Sequence, residues 1–219
     1  KPKTCWSVYF SLLLLIYALC LLHQVIYYQS LIDHLVRFNL WRVCWSDDYR
    51  YKRYILMKNR IQPQAGQESV WDYPRPPRIE KTDKTLKVVF NGEAIAETTN
   101  AYRVLETSHP PAYYIPQADI DMRYLQETSR STFCEFKGGA SYWTIAIDDK
   151  HAPNASWGYK NPTQGFEAIK DHICFYASKM DACYVDDELV QAQEGDFYGG
   201  WITSDIVGPF KGGAGTWGW

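Results

Sequence analysis

Beyond residue 85 the chain is dominated by short runs in which apolar and polar positions alternate or β-branched and aromatic residues cluster. Leu86-Lys87-Val88-Val89-Phe90 and Glu93-Ala94-Ile95-Ala96-Glu97 flank Asn91-Gly92. That dipeptide between two apolar-rich runs predicts a type I′ hairpin, whose central residues both need positive φ. Ala101 to Leu105 reads as a third strand that delivers Glu106 to its end. Ser131 to Phe136 and Ala140 to Ile147 predict a second hairpin around Gly138-Gly139, with Lys137 beside the glycines. Asp148-Asp149 supplies the next turn, and His151 to Tyr159 reads as a strand broken by Pro153. Ile173 to Tyr176 and Ala182 to Val185 are short strands, followed by a turn at Asp186-Asp187 and by Leu189-Val190.

Helical signals are few. Pro116 opens a short turn of helix over Gln117 to Met122. Thr163 can cap a short helix with Phe166, Ile169 and Ile173 on one side. Residues 57–79 are irregular, and Pro74, Pro76 and Pro77 exclude helix there, so Trp71 and Tyr73 are expected on an extended arm clamped to the body. Seven or more short strands against one or two short helices predict a mainly β, antiparallel domain.

Residues 1–56 differ in composition from the rest of the chain. They contain no glycine and no glutamate, and Trp6 to Leu22 is nearly continuous apolar sequence. With Val25 to Tyr28 it approaches the ~20 residues that span a bilayer. Two readings stand: a membrane anchor over residues 6–28, or translation upstream of a true start at Met57. Either places the domain of residues 57–219 in the cytoplasm, the first because the basic residues between 37 and 53 favour that side of a membrane. The whole chain carries a formal charge of −2. Residues 1–56 hold seven basic and three acidic residues, and the remainder holds sixteen and twenty-two. An acidic domain excludes non-specific nucleic-acid binding. Cysteines stand at 5, 20, 44, 134, 174 and 183 with no C-x-x-C pair. No structural zinc site is therefore expected, and the thiols read as reduced and mostly buried. No dinucleotide fingerprint, phosphate loop or nucleophile elbow occurs, so no cofactor is expected.

Four segments stand out for their chemistry. They are Trp71-Asp72-Tyr73-Pro74-Arg75-Pro76-Pro77; Arg103 through Glu106, His109 and Pro110-Pro111 to Tyr114; Cys134-Glu135-Phe136-Lys137-Gly138-Gly139-Ala140-Ser141-Tyr142-Trp143; and Asn154-Ala155-Ser156-Trp157-Gly158-Tyr159. With the glycine- and aromatic-rich tail from Gly199, this ordered set resembles the DUF427 family. That domain of unknown function is also labelled a nucleotidyltransferase domain. The chain looks most like cyanobacterial members, and the resemblance covers Met57 to the C-terminus. It implies a small β-tent fold similar to the Mss4-like proteins, without their zinc-binding cysteines.

The residues themselves suggest a polar cleft. Glu106, between Leu105 and a stiffened Pro-Pro turn, suits acid–base work if desolvated, or else forms an ion pair with Arg103. His109 suits proton transfer, or else bonds the turn. Lys137 beside two glycines suits an anion. Cys134, three residues before Lys137, would face the opposite way on a continuous strand and reads as a buried thiol. Arg103, Tyr114, Tyr142, Trp157 and Tyr159 complete the expected ligand-binding set. The function these residues support is small-molecule binding or catalysis of unspecified reaction, with a non-catalytic protein-interaction module as the rival and a homodimer left open. The change of composition at Met57 also predicts that residues 57–219 fold alone, and a cooperative thermal transition of that fragment is the expected result.

Overall fold

The computed structural model describes residues 60–195, 197–216 and 219. The apolar segment at 6–28 and the proposed boundary at Met57 lie outside the described residues. Within them the strands run in chain order as β1 (Glu68–Ser69), β2 (Arg78–Thr82), β3 (Leu86–Phe90), β4 (Glu93–Thr98), β5 (Ala101–Leu105), β6 (Ala112–Pro116) and β7 (Leu125–Cys134). They continue as β8 (Gly138–Ile147), β9 (Lys150–Gly158), β10 (His172–Phe175), β11 (Ala182–Val185), β12 (Glu188–Leu189), β13 (Gln191–Ala192), β14 (Trp201–Ile202) and β15 (Ile206–Val207). Among the described residues the fold is mainly β, with only single 3-10 turns for helix and none long and apolar enough to cross a membrane.

One seven-stranded sheet has the order β2-β5-β6-β10-β9-β8-β7, and a four-stranded sheet has the order β12-β11-β3-β4. All pairings in both are antiparallel. The Asn91-Gly92 hairpin joins β3 to β4 with φ of 51° and 79°, as a type I′ turn requires. The two-residue turns at Asp148-Asp149 and Asp186-Asp187 likewise begin at positive φ, 51° and 54°.

Side-chain alternation sends the large sheet's residues to two different cores. Tyr113 and Ile115 of β6, Trp143, Ile145 and Ile147 of β8, and Ile173 and Phe175 of β10 pack with Leu86, Val88 and Phe90 of β3 and Val185 of β11. This is the core between the two sheets. The intervening residues Tyr114, Tyr142, Trp157 and Cys174 lie on the opposite face, with Tyr159, Phe166, Ile169 and Tyr176. Fully burying a side chain such as Phe90 or Ile173 contributes about 1.5–3 kcal/mol.

Several expectations are corrected. Thr163 does not cap an α-helix: the segment makes one 3-10 turn, Glu167–Ile169, and Ile173 belongs to β10. Phe166 and Ile169 are buried nonetheless, since one apolar stretch can satisfy the core in either conformation. The second hairpin turns at residues 135–137, and Gly138 and Gly139 already pair in β8 with Cys134 and Phe133. Pro153 does not break β9, which runs through it past a register shift.

The N-terminal arm docks as a short strand: β1 pairs in parallel with β15, and Val70 and Tyr73 are buried against Leu105 and Ile206. The C-terminal tail is anchored by Trp201, 1% exposed, whose indole N–H donates to the Phe175 carbonyl at 3.0 Å. Gly158 in β9 has no room for a side chain, because a Cβ there would stand 2.4 Å from the His172 carbonyl oxygen. Gly158→Ala is expected to cost about 2 kcal/mol or more, whereas Gly139→Ala, with open space around it, should stay within about 0.5 kcal/mol. Urea denaturation of the two variants checks this.

Candidate active site

The face of the large sheet turned away from the four-stranded sheet carries a cavity of about 220 Å³. Its floor follows from strand register. Tyr142 of β8 lies opposite Trp157 of β9, and Trp157 lies opposite Cys174 of β10. Cross-strand partners share a face, so a row of large side chains points into the same space. Tyr176 packs on Trp157 with ring centroids 4.5 Å apart, and Tyr114 and Tyr159 stand 6.3 Å apart. Burial raises the pKa of the Tyr114, Tyr159 and Tyr176 hydroxyls, so they remain protonated donors. Thr132 shares a 2.9 Å hydrogen bond with the Tyr142 hydroxyl.

The rim is built by the turn after β5. The Glu106 carbonyl accepts from the His109 N–H at 3.0 Å, and Ser108 adopts a φ of 70°. Neighbours hold this turn from two sides. The Ser108 N–H donates to the Val70 carbonyl and the Thr107 hydroxyl to the Tyr73 carbonyl, both on the N-terminal arm, while the Lys211 N–H donates to the Ser108 carbonyl. Glu106 and His109 are thereby set at the cavity with Pro110.

Glu106 pairs with Arg75, at 3.5 Å, and not with Arg103. Arg75 also holds Glu135 at 3.0 Å and lies over the Phe136 ring. Arg103 does not line the cavity. It stands opposite Tyr113 in the β5–β6 register and so shares the far face, where Glu68 and Glu80 bind it at 2.8 Å each. Glu106 and Lys137 make no ion pair among the described residues, although both line the cavity. Lys137 is carried by the β7–β8 turn, which Thr163 clamps: its N–H donates to the Lys137 carbonyl at 3.2 Å and its hydroxyl to the Phe136 carbonyl.

Cys134 also lines the cavity and is only half-buried. Alternation between positions 134 and 137 fails because β7 ends at Cys134 and a turn, not a strand, leads to Lys137. Cys174 and Cys183 are buried, and burial raises both thiol pKa values.

His109 is 6% exposed and packs against Tyr198 at a tilt, ring centroids 4.2 Å apart. Gln193 fixes its tautomer. The Gln193 Oε1 accepts from the Gly200 N–H at 3.0 Å, which makes Nε2 the amide nitrogen, and that nitrogen donates to the Lys211 carbonyl at 2.6 Å. Its second proton faces His109 Nδ1 at 3.2 Å, so Nδ1 accepts and Nε2 carries the ring proton. Burial, reinforced by the Lys211, Arg75 and Lys137 cations, lowers the His109 pKa from 6.5 to about 3. The ring is neutral at pH 7.

Of the residues expected from sequence, Glu106, His109, Lys137, Tyr114, Tyr142, Trp157 and Tyr159 converge on this cavity, and Arg103 does not. Arg75, Tyr176, Gln193, Phe197 and Tyr198 also line it but are absent from that set. Arg75 had a signal, since it lies in the Trp71–Pro77 segment. The tail had one too: at Gly199 a Cβ would stand 2.3 Å from Trp157, and at Gly200 one would stand 2.6 Å from Gln193 Oε1. Such glycines mark close approach of backbone to side chains. Gln193 itself carries no local mark.

Residues 78–186 match the family described as a domain of unknown function, DUF427. A search of curated proteins found no match. The DUF427 match takes in Glu106, His109, Lys137 and the aromatic floor. Arg75 precedes it, and Gln193, Phe197 and Tyr198 follow it, so the cavity is completed by residues beyond the DUF427 span. Among the described residues, no group of three or more His, Cys, Asp or Glu side chains is placed to hold a metal ion.

The His109 environment generates a pH prediction. In the unfolded chain the imidazole takes up a proton as pH falls below 6.5, while in the fold it resists protonation down to about pH 3. The stability this contributes is complete above pH 6.5 and is lost as pH falls from there towards 3. Between pH 7 and pH 5 the loss from this group should be about 2 kcal/mol. Denaturant unfolding at both pH values checks it: His109→Gln should show a smaller fall than wild type by that amount.

Proposed function

We propose that the cavity binds a small organic molecule and that Glu106 is the group placed to exchange a proton with it. One observation carries this reading: Glu106 and His109 from the turn after β5 and Lys137 from the β7–β8 turn face one cavity walled by aromatic rings. Clefts with apolar walls and few convergent polar groups are the usual form of ligand sites. At about 220 Å³ the space falls below the roughly 300–1,000 Å³ common for drug-sized ligands, which favours a small metabolite. His109 serves here as a neutral hydrogen-bond donor through Nε2 and not as a proton shuttle, because protonation of the buried ring beside three cations is disfavoured. Lys137 holds an anionic part of the ligand, and the protonated phenols of Tyr114 and Tyr159 hydrogen-bond along its body.

The nucleotidyltransferase label gains no support from this geometry. That chemistry uses carboxylates to hold divalent cations around a triphosphate. The two glutamates at the cavity are both engaged by Arg75, and Asp148 and Asp186 open tight turns between strands. The rival reading of a non-catalytic interaction module rests on Phe133 and Phe197, 79% and 55% exposed at the cavity's edge.

The experiment is mass spectrometry of small molecules retained by the full chain, compared with Ala112→Phe, which fills the cavity. A molecule retained by wild type and absent from the filled variant is the expected result; identical retention would overturn the reading. Glu106→Gln and Lys137→Ala should each change stability by no more than about 1 kcal/mol, since the Arg75–Glu106 pair is partly exposed and Arg75 keeps Glu135. Paired melting curves measure that, and retention should fall in both variants.

A further inference from the structure

We propose that the ligand of this cavity is a small monoanion, a carboxylate on a flat or aromatic body, with Lys137 and the His109 Nε2–H as the two donors to its carboxylate. The inference rests on the small-molecule reading above and adds the chemical class.

The charge pattern supplies the first observation. Three cations lie within electrostatic reach of His109, namely Lys211, Arg75 and Lys137. Two of them are already employed. Arg75 is shared between Glu106 and Glu135, and the Lys211 ammonium donates to the Trp219 carbonyl at 2.8 Å. Lys137 alone of the three makes no ion pair or side-chain hydrogen bond among the described residues, and it lines the cavity. A half-enclosed ammonium without a partner favours an anion, whose approach replaces lost water with a charge-assisted hydrogen bond.

The second observation is the direction in which the buried amide is wired. Gln193 has one arrangement that satisfies the Gly200 N–H and the Lys211 carbonyl together. That arrangement makes His109 Nδ1 an acceptor, so the ring's other edge can only donate. A donor-only edge on a residue lining the cavity selects an acceptor on the ligand. Among the described residues no side chain or carbonyl accepts from it.

The third observation limits the charge to one. The site offers one unengaged cation and one neutral donor. A dianion would leave a charge uncompensated in a partly desolvated space, a costly state. A carboxylate matches the pair, with one oxygen for each donor. The body of the ligand then lies against Trp157, Tyr176 and Tyr142, the aromatic side chains that wall the cavity.

Isothermal titration calorimetry of the full chain with benzoate, benzyl alcohol and phenyl phosphate tests this. Benzoate should bind about tenfold or more tightly than benzyl alcohol, as expected for a charge-assisted bond. Phenyl phosphate at pH 8, where it is a dianion, should bind more weakly than benzoate. Lys137→Met should remove the preference for benzoate over benzyl alcohol. Equal binding of benzoate and benzyl alcohol, or tighter binding of phenyl phosphate, would overturn the monoanion inference and leave the cavity's role as a small-molecule site standing. Binding of none of the three overturns it as well; if the retention experiment with Ala112→Phe also shows no difference, the small-molecule reading falls with it.

Discussion

The central strands of the seven-stranded sheet are buried on both faces, and this constraint organises the molecule. A β-strand sends successive side chains to opposite sides, so each of these central strands serves two compartments at once. In β6, Tyr113 and Ile115 enter the inter-sheet core while Tyr114 points to the cavity. In β8 and β10 the same division separates Trp143 and Ile145 from Tyr142, and Ile173 and Phe175 from Cys174. A slip of one residue in any of these strands would exchange core and cavity residues, so the rigidity of the core is also the rigidity of the site.

The cavity is closed by segments distant in sequence. The arm before β2 supplies Arg75 and the hydrogen bonds that hold Thr107 and Ser108. The tail supplies Gln193 and Tyr198, positioned by Trp201 in the inter-sheet core and by glycines that let backbone meet the Trp157 ring. Packing of the core thus reaches the site through the tail. The chemistry depends on the same enclosure, since burial holds His109 neutral and keeps the tyrosine hydroxyls protonated.

Much of the architecture was legible in the residues. The Asn91-Gly92 turn, the strand leading to Glu106, the Asp148-Asp149 and Asp186-Asp187 turns and the mainly β class come from local rules that act over a few residues. Glu106, His109, Lys137 and the aromatic floor, singled out along the chain as one cleft, do line one cavity. Short apolar runs without a strong period were less legible. The stretch after Thr163 satisfies the same core as a helix or as a 3-10 turn followed by a strand, and the pairing of β10 with β6 and β9 decides.

By itself, then, the sequence determined several of the strands, their turns and part of the cavity's lining, since these rest on alternation and turn chemistry written locally. Only the tertiary structure decided the partners. Along the chain Arg103 is the cation expected beside Glu106, but register turns Arg103 to Glu68 and Glu80 and the arm brings Arg75 to Glu106. His109 and Gln193 stand 84 positions apart, and the tautomer of one is set by the wiring of the other. The physical reason is that a residue type fixes what a side chain can donate, accept or carry, while the path of the chain fixes which group it meets.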